Sequence, residues 1–220
     1  PGLPIQFTLE PLGLLFAMIA STLWIINSIY SIGYMRGNNE KRQTVFYIYI
    51  AESIFGALGI AFAGNLFTLF LFYEVLTLAT YPLVAHKGDE KAKMGARIYL
   101  MILLVTSMIL LLPAIIWTNS IAGTMDFTPG GILEGKASPL VLTILMLLFM
   151  FGIGKAALMP FHFWLPSAMV APTPVSALLH AVAVGKAGVF TVVKVIVYIF
   201  GIDVLNQTGA GDWLLYAAGF

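Results

Sequence analysis

Five charged side chains and one histidine interrupt long apolar stretches of this sequence. If such stretches cross a membrane, each ionised group near the centre costs about 2.5–3.5 kcal/mol and requires a partner or a water-filled cavity. An approaching carboxylate raises the proton affinity of a buried lysine, and its withdrawal lowers that affinity. A carboxylate and a lysine at similar depth can therefore take up and release a proton. The residues are Glu52, Glu74, Lys155, His180, Lys186 and Lys194.

Glu74 and Lys155 have the features of a pair that could exchange protons. Glu74 lies near the middle of LFTLFLFYEVLTLATYPLV, and Lys155 lies deep in MLLFMFGIGKAALMP. Glycine and proline weaken or break a helix, so we predict an interruption over residues 152–163. Such an interruption frees backbone groups to line a hydrated cavity within the membrane. The residues predicted to cause it are Gly152, Gly154 and Pro160.

If Glu74 can approach Lys155 and withdraw from it, the lysine binds a proton in one state and releases it in the other. The sequence therefore predicts that the two residues lie on neighbouring helices and meet in the membrane interior. A purely structural carboxyl group, protonated or hydrogen-bonded, is the alternative interpretation of Glu74.

Three further ionisable groups follow in LLHAVAVGKAGVFTVVK, and two of them are candidates for proton transfer. Lys186 lies about 18 Å along a helix that begins near Pro174, which makes it a second candidate proton station. His180 lies six residues earlier and titrates near neutral pH when unperturbed. A neutral histidine that bonds a neighbouring helix is an equally good interpretation of His180.

The other two charges receive different interpretations. Lys194 comes two turns after Lys186, close to the end of its helix, so we expect its side chain to snorkel toward the membrane surface. Glu52 lies in YIYIAESIFGALG, and the sequence identifies no partner for it.

The composition indicates a polytopic membrane protein. Of the 220 residues, 60% are hydrophobic and 10% are charged, whereas a soluble domain is about 25% charged. The absence of cysteine excludes disulfides and thiolate metal sites. The three histidines have no metal-ligand spacing, FGIGKAALMP lacks the P-loop pattern, and no nucleophile–base pair is evident. We therefore predict no metal, no cofactor and no enzymatic site in this chain, and the net charge of +1 argues against a nucleic-acid partner.

Apolar segments of about 20 residues can cross a bilayer as helices. We accordingly predict one all-α transmembrane domain over residues 1–220, with six spans, one of them broken, and the start of a seventh. The chain begins and ends abruptly, so we expect an internal part of a longer protein. The predicted spans are 12–35, 44–63, 65–86, 96–118, 139–160 and 173–200, with the next beginning at 213.

The basic residues predict the orientation of these spans. Arginine and lysine concentrate in the loops after the first and third spans, and the positive-inside rule assigns those loops to the cytoplasm. By alternation, loops 36–43, 87–95 and 163–172 are cytoplasmic and 119–137 is outside.

One long segment resembles a known family. KAALMPFHFWLPSAMVAPTPVSALLHAVAVGKAGVF is similar to the signature of the antiporter-like subunits of respiratory complex I (NADH:quinone oxidoreductase) and of Mrp-type multisubunit cation/proton antiporters. FLFYEVLTLATYPLV resembles the glutamate-bearing helix of the family, and YSIGYM resembles a segment two helices upstream. The first segment is most similar to the Mrp branch of the family, in its D-type and A-type subunits.

The resemblance implies a fold of about fourteen helices in two inverted repeats, each with one broken helix. This chain would hold the third to eighth helices, which form the first repeat, and the beginning of the ninth. By the same resemblance, Glu74 is the charge-pair glutamate and Lys155 the broken-helix lysine. Lys186 and His180 would relay protons toward the centre of the membrane.

The resemblance also implies a bacterial or archaeal cytoplasmic membrane, with other membrane subunits as partners. Our leading hypothesis is a proton-translocating subunit of a larger complex. A Na⁺/H⁺ antiporter module is an alternative, because carbonyls at a helix break can bind Na⁺. A non-transporting structural subunit with permanently paired charges is another. If the parent complex is a redox enzyme, its electrons should travel in other subunits.

Overall fold

The computed structural model describes residues 4–209 and 211–219, and these residues form helices joined by loops, of which that over 123–138 is long. Within these ranges there is no strand, and two isolated bridges join extended segments. The predicted all-α membrane fold is confirmed. The helices are α1 (Pro11–Gly37), α2 (Gln43–Ala61), α3 (Leu66–Val84), α4 (Glu90–Ala122), α5 (Pro139–Gly152), α6 (Trp164–Ala168), α7 (Thr173–Phe200), α8 (Ile202–Thr208) and α9 (Asp212–Gly219).

Five of these helices, namely α1, α2, α3, α4 and α7, are long and apolar enough to cross a membrane. The fifth predicted span, 139–160, is interrupted, as expected. Its first part, α5, has 14 residues and is about 21 Å long, which is short of a hydrocarbon core of about 30 Å. The chain continues through 3₁₀ turns at Gly154–Ala156 and Phe161–Phe163 into the short helix α6.

The interruption begins earlier than the proline. Helix α5 ends at Gly152, and Ile153 leaves the helical conformation with φ −80° and ψ 63°. Gly152 lies so close to the backbone of Leu111 in α4 that no Cβ would fit there. Pro160 lies between the two 3₁₀ turns, so it is not the residue that ends α5.

The fourth span differs from the prediction in its bounds. We expected a helix over 96–118 after a basic loop, whereas α4 runs over Glu90–Ala122. The helix starts early because the side chain of Asp89 accepts a hydrogen bond from the Ala92 amide at 2.6 Å, which caps its first turn. The basic residues of this region, Lys91, Lys93 and Arg97, therefore lie in the first turns of α4.

Small residues allow the helices to approach closely, as is usual in membrane bundles. A Cβ on Gly56 of α2 would press on Leu76 of α3, in the most extensive helix–helix contact among the described residues. Near the start of α4, Gly95 meets the carbonyl of Ser167 in α6. The uncharged connection 163–172 therefore lies at the same end of the bundle as the start of α4, as the alternation of the spans predicts.

Candidate site at the interrupted helix

The interruption after α5 places Lys155 inside the bundle. Lys155 lies in the 3₁₀ turn Gly154–Ala156 and is fully buried. Gly154 makes this position possible, because a Cβ there would overlap the hydroxyl of Thr106 in α4. A residue of this length is buried because the turn aims its side chain at α3.

Neutral groups of α3 hold the Lys155 ammonium. Its Nζ donates to the carbonyl oxygen of Tyr73 at 2.8 Å and to the hydroxyl oxygen of Thr77 at 2.5 Å. It also lies 3.3 Å from the centroid of the Tyr73 ring, as in a cation–π contact. The Tyr73 hydroxyl in turn accepts a hydrogen bond from the Lys155 amide at 3.0 Å.

Glu74 lies between these two ligands of the lysine on the same helix. Both of its carboxylate oxygens are buried and have no hydrogen-bond partner among the described residues. Its carboxylate does not come within 4.0 Å of the Lys155 ammonium, since the ion pairs of the described residues are Lys93–Glu90 and Lys194–Glu10. The Lys155 ammonium thus contacts the helix that carries Glu74, and it forms no ion pair with Glu74 in this structure.

Sequence reasoning missed Tyr73 and Thr77. We considered only charged groups and histidine, whereas the lysine is held by a phenol ring, a main-chain carbonyl and a hydroxyl. The available signal was the spacing of these residues, because Tyr73 and Thr77 are four positions apart and therefore share one face of a helix, next to Glu74 in the sequence.

Further buried hydroxyl groups extend from this site toward α4 and α6. The Thr80 and Tyr99 hydroxyls are 2.6 Å apart, and the Tyr99 ring packs edge-on against Trp164. Trp164 donates its indole N–H to the carbonyl of Gly154 at 2.9 Å. Trp164 therefore packs between Tyr99 of α4 and the interrupted segment.

Helix α7 contacts the interrupted segment through a glycine. A Cβ on Gly188 would overlap the backbone of Lys155 and Ala156. Lys186, two residues earlier, is exposed on the surface of the described bundle. None of the hydrogen bonds and ion pairs among the described residues joins Lys186 to Lys155 or Glu74.

His180 lies at a local irregularity of α7. Residues Leu178–Val182 form a π-helical turn, a feature that is frequent at functional sites. The half-buried imidazole places Nε2 3.2 Å from the sulfur of Met169. The structure therefore places the Lys155 ammonium on two residues close to Glu74 in the sequence, Tyr73 and Thr77, and His180 bonds elsewhere.

The expectation that Lys194 snorkels is wrong. Lys194 is fully buried, its ammonium donates to the Ala63 carbonyl at 2.5 Å, and it lies 3.5 Å from Glu10 Oε2. The side chain turns inward because acceptors are available beneath the connection between α2 and α3. Glu52, in contrast, is exposed on α2.

One histidine outside the spans is electrostatically perturbed. The carbonyl of His86, after α3, accepts a hydrogen bond from Arg42 Nη2 at 2.8 Å, and its ring packs against Phe46. Burial and then the Arg42 charge lower the pKa of His86 below its ordinary value. This contact joins the connections before α2 and after α3.

Comparison with protein families gives a match over most of the chain. Residues 63–208 match the family model described as NADH:quinone oxidoreductase/Mrp antiporter, TM. The chain is similar to the A subunit of the Na(+)/H(+) antiporter of Alkalihalophilus pseudofirmus, with 32% identity over 100% of this chain and 27% of the relative. It is also similar to the A/B subunit of the probable K(+)/H(+) antiporter of Rhizobium meliloti, with 32% identity over 100% of this chain and 22% of the relative.

A solved structure gives the same result for the fold. The Mrp complex from Dietzia sp. contains a chain that superposes with a TM-score of 0.78 and 28% identity, covering 92% of this chain and 22% of that one. The chain thus spans about a quarter of the length of the curated relatives that it matches, 27% and 22% in the two cases above. The resemblance seen in the sequence is confirmed.

Proposed function

Because the chain belongs to the NADH:quinone oxidoreductase/Mrp antiporter transmembrane family, we propose that it is part of an antiporter-like subunit that conducts protons. The conducting part would be a half-channel built on Glu74 and Lys155. His180 and Lys186 would continue it toward groups beyond the described bundle. The whole protein would work within a larger membrane complex, since the names of the relatives describe those proteins as antiporter subunits.

One observation carries this proposal. The ammonium of Lys155 is fully buried at a helix break, and its hydrogen-bond acceptors are neutral groups adjacent to an unpartnered carboxylate on the same helix. A buried charge is stable only with partners. The Lys155 ammonium would therefore have two electrostatic states, one bound to the Thr77 hydroxyl and one beside the Glu74 carboxylate.

The proposed step is a movement of the lysine between these two states. Beside the Glu74 carboxylate the protonated amine is favoured, and away from it the neutral amine is favoured. The long flexible side chain of Lys155 and the non-helical backbone around it permit the movement. A proton released from Lys155 would pass by water toward His180 and Lys186.

His180 and Lys186 would act as later stations. Lys186 is exposed in the described bundle at the middle of α7, where a charge facing hydrocarbon is costly. Its partner is therefore expected on helices outside the described residues. His180 lies at a π-helical turn, whose widened backbone can admit a water or a neighbouring acceptor.

The coupled cation is a separate part of the proposal. The names of the relatives specify Na⁺ in one case and K⁺ in another, both exchanged for protons. We infer that the parent complex exchanges protons for a monovalent cation in a bacterial or archaeal cytoplasmic membrane. Residues 36–43, 87–95 and 163–172, which include loops and the first turns of helices, would lie at the cytoplasmic end of the bundle.

Replacement of Lys155 tests this function. In the complete complex, Lys155→Ala should assemble with its partner subunits and lose most proton transport in sealed vesicles, because it removes the titrating amine. Lys136→Ala, which removes an exposed lysine of the loop before α5, is the matched control and should keep the parental rate. A structural role would give the opposite pattern, with assembly lost and transport per assembled complex unchanged.

A further inference from the structure

Three extended or loop segments meet at the end of the bundle where α2 joins α3. Thr8 N–H donates to the Phe62 carbonyl, and Gly64 N–H to the Gln6 carbonyl, both at 2.8 Å. Phe127 N–H donates to the Gly64 carbonyl at 3.1 Å. We call these segments, residues 6–10, 62–65 and 124–127, the end cap.

The buried Lys194 ammonium contacts all three segments of the end cap from the interior of the bundle. It donates to the Ala63 carbonyl at 2.5 Å, lies 3.5 Å from the Glu10 carboxylate, and lies 4.2 Å from the centroid of the Phe127 ring. The lysine side chain is fully buried, and that of Glu10 is 13% exposed. A single cation of α7 therefore binds three separate parts of the chain.

The interior below the cap leads to the site of Lys155. Thr191, one turn before Lys194, is fully buried, and its hydroxyl donates to the Ala187 carbonyl of its own helix. One turn further, Gly188 touches the backbone of Lys155. Water that passed the end cap along this face of α7 would approach the buried amine of Lys155.

We propose that Lys194 seals this end of the bundle against water and ions. The buried cation holds the cap segments together through a hydrogen bond, an ion pair and a cation–π contact, which together compensate the loss of hydration. With the seal in place, the Lys155 site has no aqueous connection on the cap side. This role goes beyond the proposed proton conduction, and solvent access measures it without any transport assay.

This sequence contains no cysteine, so a cysteine introduced here adds one thiol whose labelling is compared with that of the parental complex. Thr191→Cys in the complete complex serves as the buried reporter. The exposed Asp126→Cys shows from which side of the membrane an impermeant maleimide reaches the end cap. In complexes that retain Lys194, the Thr191→Cys reporter should label slowly and Asp126→Cys rapidly. Adding Lys194→Ala should raise the labelling rate of the reporter at least about tenfold, the equivalent of 1.4 kcal/mol in opening.

Two variants separate sealing from general damage. Lys194→Arg keeps the charge and the donors and should keep the reporter slow, and Lys136→Ala, which changes a loop lysine, should also leave it slow. If Lys194→Ala fails to assemble, Glu10→Gln removes the ionic partner alone and should still raise the rate. An unchanged rate in the assembled Lys194→Ala or Glu10→Gln complex would overturn the proposal, as would rapid labelling in the Lys194 background.

Discussion

Gly188 of α7 lies directly against the backbone of Lys155, so that this long membrane helix and the interrupted segment meet without a side chain between them. This contact fixes the position of the lysine turn relative to the helix that carries His180 and Lys186. The separate parts of the candidate pathway therefore depend on one glycine for their spacing.

Replacing that glycine should disturb the site. Gly188→Ala places a Cβ onto the backbone of Lys155 and Ala156, and overpacking of this kind costs about 1–3 kcal/mol. We expect a lower thermal unfolding temperature of the purified complex and reduced proton transport. Gly33→Ala in α1, where no atom lies within 4 Å of the added Cβ, is the control and should change neither. Equal behaviour of the two variants would refute the close contact.

The hydroxyl of Thr77 should stabilise the fold by binding the lysine. Thr77→Val keeps the shape and removes the acceptor of a charged hydrogen bond, at a cost of about 1.5–3 kcal/mol. Denaturant or thermal unfolding of the complex measures this loss, and Thr77→Ser should restore most of it.

Thr118→Val supplies the comparison for Thr77→Val. The Thr118 hydroxyl is buried and has no hydrogen-bond partner among the described residues, so its removal should cost little or nothing. Were Thr77→Val no more destabilising than Thr118→Val, the Thr77 hydroxyl would not be a ligand of Lys155.

Sequence reasoning identified the spans and the interruption because both follow from apolar length and from glycine and proline. It placed the start of α4 too late, because it weighed the charges of the segment and overlooked Asp89 as a capping residue. It also assigned Lys194 to the surface, since depth along a helix does not show which side chains and carbonyls lie on neighbouring segments. The ligands Tyr73 and Thr77 were missed for the same reason, because they are neutral groups whose role depends on packing.

His86 should make the stability of the complex depend on pH. Burial and Arg42 lower its pKa in the folded protein, so the unfolded chain binds the proton more readily. The stability that this difference contributes is complete above the ordinary histidine pKa and is lost as the pH falls through the lowered value. Thermal unfolding between pH 8 and pH 5 should therefore show a smaller decrease for His86→Gln than for the parent. An identical pH dependence of the two proteins would contradict this assignment.

The orientation of the bundle is open to direct labelling. Asp126 and Lys91 are exposed at opposite ends of the bundle, and the positive-inside rule places Lys91 in the cytoplasm. An impermeant thiol reagent added outside intact cells should label Asp126→Cys and leave Lys91→Cys unmodified until the membrane is permeabilised. The reverse pattern would invert the topology.

Glu74→Gln provides the most direct measurement of the central claim, that the carboxylate of Glu74 controls protonation of Lys155. The substitution preserves size and removes the charge, and the proton transport rate of the complete complex in sealed vesicles is the quantity to measure. We predict an assembled complex whose rate is at least about tenfold below that of the parent, since a loss of 1.4 kcal/mol in stabilisation corresponds to a factor of ten. A Glu74→Gln complex that transports protons at the parental rate would contradict the claim.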